Sequence, residues 1–194
     1  MKSKILKENI PIEVSARHIH ISKKDLEALF GKGYKLKKLR NLSQPGEFAA
    51  TETLDIQVGS KKLKDLRIVG PLRRETLIEL SQTDAFVLGL KPPIREMDDL
   101  KGTPGAALIG PKGEIKIKKG IINNWRHIHC NSKEAKKLGL KDGMLVSVKT
   151  KGRASVTFHN VKVEIEKKYR FCMHIDTDEG NTAGIDRRGE GEIC

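Results

Sequence analysis

Apolar and polar residues alternate along most of this chain in short runs, each closed by a turn-forming cluster. A period of two is the spacing of a half-buried strand. Residues 11–16 alternate and lead straight into Arg17-His18-Ile19-His20. Strands are expected in the first half at residues 34–39, 54–58, 66–69, 76–80 and 85–88. Asn41-Leu42-Ser43-Gln44-Pro45-Gly46 and Gly70-Pro71-Leu72-Arg73-Arg74 supply the turns. Residues 91–105 hold Pro92, Pro93, Gly102, Pro104 and Gly105, which mark a loop or a domain crossing. Residues 106–109 and 114–117 flank Gly110-Pro111-Lys112-Gly113 and read as a hairpin.

Two segments break the strand pattern. Ser22 is followed by Asp25 three residues on, then by Leu26, Leu29 and Phe30, and Gly31 closes the run. Asn131 and Glu134 repeat the start signal, and Gly139 repeats the stop. Both spell a short capped helix. Strands are expected again at residues 121–125, 144–148, 154–158, 161–165 and 169–175. The second half thus replays the first: strand, Arg-His-Ile-His, capped helix, several short strands. Short strands with frequent turns favour small β-barrels over a parallel sheet. The expected fold is mainly β, two pseudo-duplicated small β-barrels with short capping helices.

Composition narrows the function. No run of about 18 apolar residues is present, so no membrane-spanning helix is expected. The first ten residues carry lysines without an apolar stretch, which is no secretory signal, and a cytoplasmic protein is expected. Cys130, Cys172 and Cys194 are the only cysteines and form no Cys-x-x-Cys pair, against a disulfide framework or a cysteine zinc ribbon. The formal charge of +13 is either solvated strand faces or the footprint of an anionic partner: nucleic acid, a phosphorylated substrate or a nucleotide-bearing cofactor. One Trp, two Tyr and five Phe, none clustered, argue against a stacking platform for single-stranded nucleic acid.

Chemistry concentrates in the tetrapeptide, which recurs as Arg126-His127-Ile128-His129. On a strand, residues two apart share a face, and two imidazoles so placed can share one metal ion. The tetrapeptide is half a metal site, written twice. Of the other histidines, His174 ends an apolar strand, and is either a core residue or the third ligand of a catalytic site with an open position. His159, before a turn, is expected on the surface. Glu79 is a lone acid within an apolar strand, to be resolved by a metal or by a lysine. Arg73 offers a planar fork to an oxyanion, or is an ordinary surface residue. There is no P-loop, no Gly-x-Gly-x-x-Gly and no Gly-x-Ser-x-Gly, so nucleotide triphosphate chemistry and serine hydrolysis lose support.

Six motifs, in order, carry a family resemblance. They are residues 14–20, residues 41–49 from Asn41 to Ala49, Gly70-Pro71-Leu72-Arg73, Ser81-Gln82-Thr83-Asp84, Arg126-His127-Ile128-His129, and Met173-His174-Ile175-Asp176-Thr177-Asp178-Glu179. Together they resemble the PduL-type phosphate propanoyltransferases, or phosphotransacylases. The resemblance implies two β-barrels with a dinuclear zinc site between them. It also implies that the N-terminal strand joins the C-terminal half, so that residues 17–124 form one domain and residues 1–16 plus 125–194 the other. By the same resemblance His18, His20 and Glu79 hold one zinc, and His127, His129 and His174 the second, two ions per chain. Arg73 binds phosphate and is the catalytic arginine. Coenzyme A lies near Val14, Ser15 and Ala16, with Arg67 and Asn181 as further contacts.

The implied activity is reversible transfer of a short acyl group, propanoyl or acetyl, between coenzyme A and inorganic phosphate. The implied partners are acyl-CoA and phosphate, with no nucleic acid and no membrane; oligomeric state is left open. Ala16 stands where the family's first motif commonly has Asn, and Gly180 and Thr182 where its last has alanines; the ligand positions are intact. No microcompartment-targeting extension is evident, and a free cytoplasmic enzyme, or one recruited by other means, is expected. Two rivals from the residues alone are a dinuclear metallohydrolase of thioesters or phosphoesters and a zinc-stabilised basic nucleic-acid binder.

Overall fold

A computed structural model describes residues 8–194. In chain order the strands of the first half are β1 (Asn9–Ser15), β2 (His18–His20), β3 (Lys38–Asn41), β4 (Phe48–Val58), β5 (Lys61–Gly70), β6 (Leu77–Glu79), β7 (Ile94–Arg95), β8 (Ala106–Gly110), β9 (Gly113–Ile117) and β10 (Ile121–Asn124). Those of the second half are β11 (His127–Cys130), β12 (Leu145–Thr150), β13 (Thr157–Ile165), β14 (Cys172–Asp176) and β15 (Arg188–Ile193). The helices are α1 (Lys23–Phe30), α2 (Gln82–Leu88), α3 (Ser132–Leu138) and α4 (Thr177–Ala183). The fold is mainly β, as the alternation predicts. No helix among the described residues is long and apolar enough to cross a membrane. The described chain packs as two compact units: Arg17–Asn124, and Trp125–Cys194 with the residues up to Ala16. The domain expectation for residues 1–7 lies outside the described residues.

The unit containing Trp125–Cys194 is a closed barrel in the order β1-β14-β11-β13-β12-β15. β1 closes it, pairing parallel with β14 and antiparallel with β15. Ile10 and Ile12 of β1 point inward two residues apart, as do Val161 and Val163 of β13; all four are fully buried. β15 carries no apolar pattern, and the sequence alone does not announce it. Its glycines explain why it fits. A Cβ on Gly191 would lie 2.8 Å from Val148 Cγ1 and 3.0 Å from Ile12 Cδ1, so only a bare backbone passes there. The Asn131–Glu134 capping box is formed, and Gly139 ends α3 in the left-handed region, as the sequence predicts.

The unit Arg17–Asn124 is built on a sheet in the order β7-β10-β6-β2-β5-β4-β8-β9, with β3 on β4. It stays open where the other unit closes. Ile19, Ile21, Ile56, Ile68 and Ile78 fill its core with Leu26 and Leu29 of α1. The Ser22 hydroxyl accepts from Asp25 N, and Gly31 ends the helix at φ 109°. The backbone N–H of Lys112, in the turn of the β8–β9 hairpin, donates to the Leu29 carbonyl and ties hairpin to helix.

Several expectations change. The strands expected at 154–158 and 161–165 are one strand, β13, which begins at Thr157, and the strand expected at 169–175 begins at Cys172. Residues 85–88 are not a strand but the end of α2. Ser81 caps it by accepting from Asp84 N, and Gly89 stops it at φ 72°. Ala85 and Leu88 are buried while Phe86 and Val87 are exposed, which is an i, i+3 face rather than alternation. Residues 34–37 hold no strand; β3 begins at Lys38. Residues 91–105 run inside one unit as a loop with the two-residue strand β7.

A Cβ on Gly105 would sit 2.0 Å from the Ile117 carbonyl oxygen and 2.6 Å from the Lys118 carbonyl carbon. Backbone cannot step aside as a flexible side chain can. Gly105→Ala is therefore expected to destabilise the protein by about 2–3 kcal/mol, read as a lowered denaturant midpoint at unchanged slope. A midpoint equal to the parent's would contradict the close approach.

Candidate metal and anion site

β2 is three residues long, and its alternation does the positioning. Ile19 is fully buried in the core, so His18 and His20 share the opposite face. β6 runs antiparallel beside it with Glu79 opposite His18. The donors converge: His18 Nε2 to His20 Nε2 is 3.2 Å, His18 Nε2 to Glu79 Oε2 is 3.6 Å, and His20 Nε2 to Glu79 Oε1 is 3.8 Å. Two ligands of a tetrahedral ion with bonds of 2.0–2.1 Å lie about 3.3 Å apart. The triangle is therefore sized for one metal ion. Glu79 faces imidazoles, not lysine, and also accepts from Asn124 Nδ2 at 2.8 Å. Burial pushes the His20 imidazolium well below its usual range, helped by the nearby His18 and Arg73. A neutral ring is the form that ligates metal.

β11 repeats the device. Ile128 is fully buried, and His127 and His129 face the other way. His127 Nδ1–H donates to the Trp125 carbonyl at 2.7 Å, which leaves Nε2 for a ligand. His174 lies opposite His127 on β14, and its ring centroid is 5.3 Å from that of His127 and 4.8 Å from that of His129. The three histidines of the second expected set are thus neighbours. The structure adds a residue the sequence reading missed. Glu164 of β13 lies opposite His129, with Oε2 3.4 Å from His129 Nε2. Donor atoms of His127, His129 and Glu164 fall within 4.8 Å of one another; so do those of Glu13, Cys172 and His174. Burial works to raise the Glu164 carboxyl, but the hydrogen bond to His129 and the His127, His129 and Lys162 charges prevail and lower it. In sequence Lys162 and Glu164 alternate with buried valines like any solvated strand face. Only the β11–β13 register brings Glu164 to a histidine.

The arginine of the tetrapeptide has its own task. Arg17 Nη1 meets Asp84 Oδ1 at 2.6 Å, and Arg126 Nη1 meets Glu179 Oε1 at 2.5 Å. Asp84 lies three residues past the cap of α2, and Glu179 three residues past the cap of α4. Each of these helices follows the strand that carries Glu79 or His174. The arginines thus latch the segment behind each donor to the strand that carries the histidine pair.

Arg73 is held beside the first donor set. Its backbone N–H donates to the Ile21 carbonyl at 3.0 Å, and Nη2 donates to Glu47 Oε1 at 2.8 Å. Its Nε is buried with no hydrogen-bond partner among the described residues. Val14 and Ser15 end β1, with Ala16 exposed after it; Asn181, in the same unit, is exposed on α4. Gly180 lets α4 approach β1, since a Cβ there would come within 2.8 Å of Val14 Cγ2. Arg67 lies in the other unit, where its Nη1 donates to the carbonyls of Ala50 and Thr51. His159 is exposed, as expected, with Nδ1 2.8 Å from Ser147 Oγ. Cys130 and Cys172 are buried, which pushes their thiols up to about 11 and about 12.

Buried imidazole–carboxylate sets on β scaffolds, one with an arginine beside it, define a candidate metal-dependent, anion-handling enzyme. Residues 11–186 match the family model described as phosphate propanoyltransferase. The chain is 43% identical over 175 residues to the phosphate propanoyltransferase of Thermotoga maritima, covering 90% of this chain and 83% of the relative. It is 45% identical over 178 residues to that of Lachnoclostridium phytofermentans, covering 91% and 83%. It is 36% identical over 189 residues to that of Listeria monocytogenes, covering 97% and 89%. The chain belongs to the phosphate propanoyltransferase family, and is an acyltransferase.

Proposed function

We propose that this protein transfers a short acyl group, propanoyl or acetyl, reversibly between coenzyme A and inorganic phosphate, and that it does so with two zinc ions. The observation that carries the proposal is the triangle of half-buried His18 with buried His20 and Glu79, and Arg73 beside it, in a chain of this family. His18, His20 and Glu79 hold one ion; His127, His129 and His174 hold the second. Zinc at these donors supplies Lewis acidity where negative charge develops.

Arg73 presents its guanidinium to phosphate, and its unsatisfied buried Nε is the donor that an anion would satisfy. Val14, Ser15 and Ala16 contact coenzyme A, as does Asn181 of the same unit. With both substrates held, attack is effectively intramolecular. A phosphate oxygen bonds to the thioester carbonyl carbon, the carbon–sulfur bond breaks, and coenzyme A departs as the thiolate. The acyl group passes directly to phosphate and not through Cys130 or Cys172, which are 0% and 5% exposed and whose thiols burial pushes up to about 11 and about 12. The charge of +13 suits two anionic substrates.

The test is acetyl- or propanoyl-CoA with and without phosphate, following free thiol and acyl phosphate together. Phosphate-dependent thiol release with matching acyl phosphate is the expected result. Thiol release without phosphate would instead make the protein a hydrolase, and no release in either arm would overturn the proposal.

A further inference from the structure

The two halves of this molecule place their metal donors by the same rule, with one exchange. β2 has a parallel neighbour, β5, and an antiparallel neighbour, β6. β11 likewise has a parallel neighbour, β13, and an antiparallel one, β14. Opposite the first histidine, the antiparallel neighbour presents Glu79 in one unit and His174 in the other. The parallel neighbour aligns Ile68 with Ile19 and Val163 with Ile128. The next residue along is Val69 in the first case and Glu164 in the second. Val69 has no side-chain donor. Glu164 stands opposite His129 on the histidine face, with Oε2 3.4 Å from His129 Nε2, again about one tetrahedral edge. Each histidine pair therefore has a carboxylate beside it, but the carboxylate arrives from opposite sides of the histidine strand, and in the second unit His174 stands where the first has Glu79.

We infer that Glu164 is a further protein ligand of the second metal ion, added to the histidines His127, His129 and His174 proposed above. The inference rests on the metal-dependent function proposed above. A purely histidine set would leave a divalent ion with its full charge beside His127 and His129, each 6% exposed; a carboxylate in contact offsets it. It also makes the two donor sets alike in charge, which the residues named by sequence alone do not. Glu164 keeps a side-chain exposure of 23%, so its carboxylate has room to bind the ion or to swing off it.

The test titrates the metal-stripped full chain with zinc and with cobalt(II). Metal equivalents and affinity are read by chelator competition, and the coordination sphere by the cobalt visible spectrum. Glu164→Gln is close to isosteric, and Glu164→Val installs the residue the other unit carries; thermal unfolding of each reports folding. Both variants are expected to bind the second equivalent at least about tenfold more weakly, with the first equivalent unchanged. The cobalt spectrum of the second equivalent is expected to shift. His129→Ala is the reference. If it loses the second equivalent while both Glu164 variants match the parent in affinity and spectrum, the inference is overturned and the proposed function stands. If His129→Ala still binds both ions, the parent metal assignment falls, and Glu164 with it.

Discussion

His20→Ala is expected to lose one metal equivalent per chain and to lower kcat more than about 100-fold, with the fold kept. His20 is 3% exposed, and its Nε2 stands 3.2 Å from His18 Nε2 and 3.8 Å from Glu79 Oε1. Removing it leaves two donors, too few to hold an ion against a chelator. It also leaves Glu79, 7% exposed, with His18 and Asn124 as its remaining polar contacts. The β2 backbone is unaffected, because Ile19 still fills the core and the ladders to β5 and β6 persist. The measurement is elemental analysis alongside the phosphate-dependent thiol assay. Stripping the parent and restoring zinc is expected to recover activity, while the same cycle leaves the variant inactive. A variant that keeps both metal equivalents and parent activity would show that His20 is not a ligand.

Arg73→Ala is expected to raise the phosphate KM by about 100-fold, the scale of a lost hydrogen bond to a charged group. Metal content and the acyl-CoA KM are expected to change little. Arg73 reaches the site from the turn after β5, fixed by its backbone bond to Ile21 and its ion pair with Glu47. That pair is partly solvated on both sides, at 31% and 26% exposure, so its loss does not unfold the protein. Arg73→Lys retains the charge but not the planar fork, and is expected to recover only part of the phosphate affinity. Steady-state kinetics at low and saturating phosphate separate the cases. Unchanged turnover by Arg73→Ala at low phosphate would remove the residue from the anion site.

Legibility differed from element to element for physical reasons. Helices α1 and α3 were readable because their caps are local: Ser22 with Asp25 and Asn131 with Glu134 act within one turn. The same local logic holds at Ser81, Asp84 and Gly89, yet residues 85–88 read as a strand because four apolar residues in a row fit either period. β15 was not readable. Its sequence, Arg-Gly-Glu-Gly-Glu-Ile, holds a single apolar residue, and Gly191 fits because Val148 and Ile12 leave room there for backbone alone.

The histidine pairs were determined by the sequence itself. A His-Ile-His strand with its isoleucine in a core has one face left for both imidazoles, whatever else surrounds it. The recurrence of that tetrapeptide, each copy with its latching arginine and a capped helix, likewise lies in the residues. Glu79 and His174 were named from the family resemblance; only the tertiary structure places Glu79 opposite His18 and brings Glu164 beside His129. Glu79 and Glu164 come from neighbouring strands on opposite sides, and pairing register is a long-range property that no local spacing encodes. Closure was decided the same way: one sheet ends on β1 and β15 and becomes a barrel, while the other stays open, because closing requires the first and last strands to find each other across the chain.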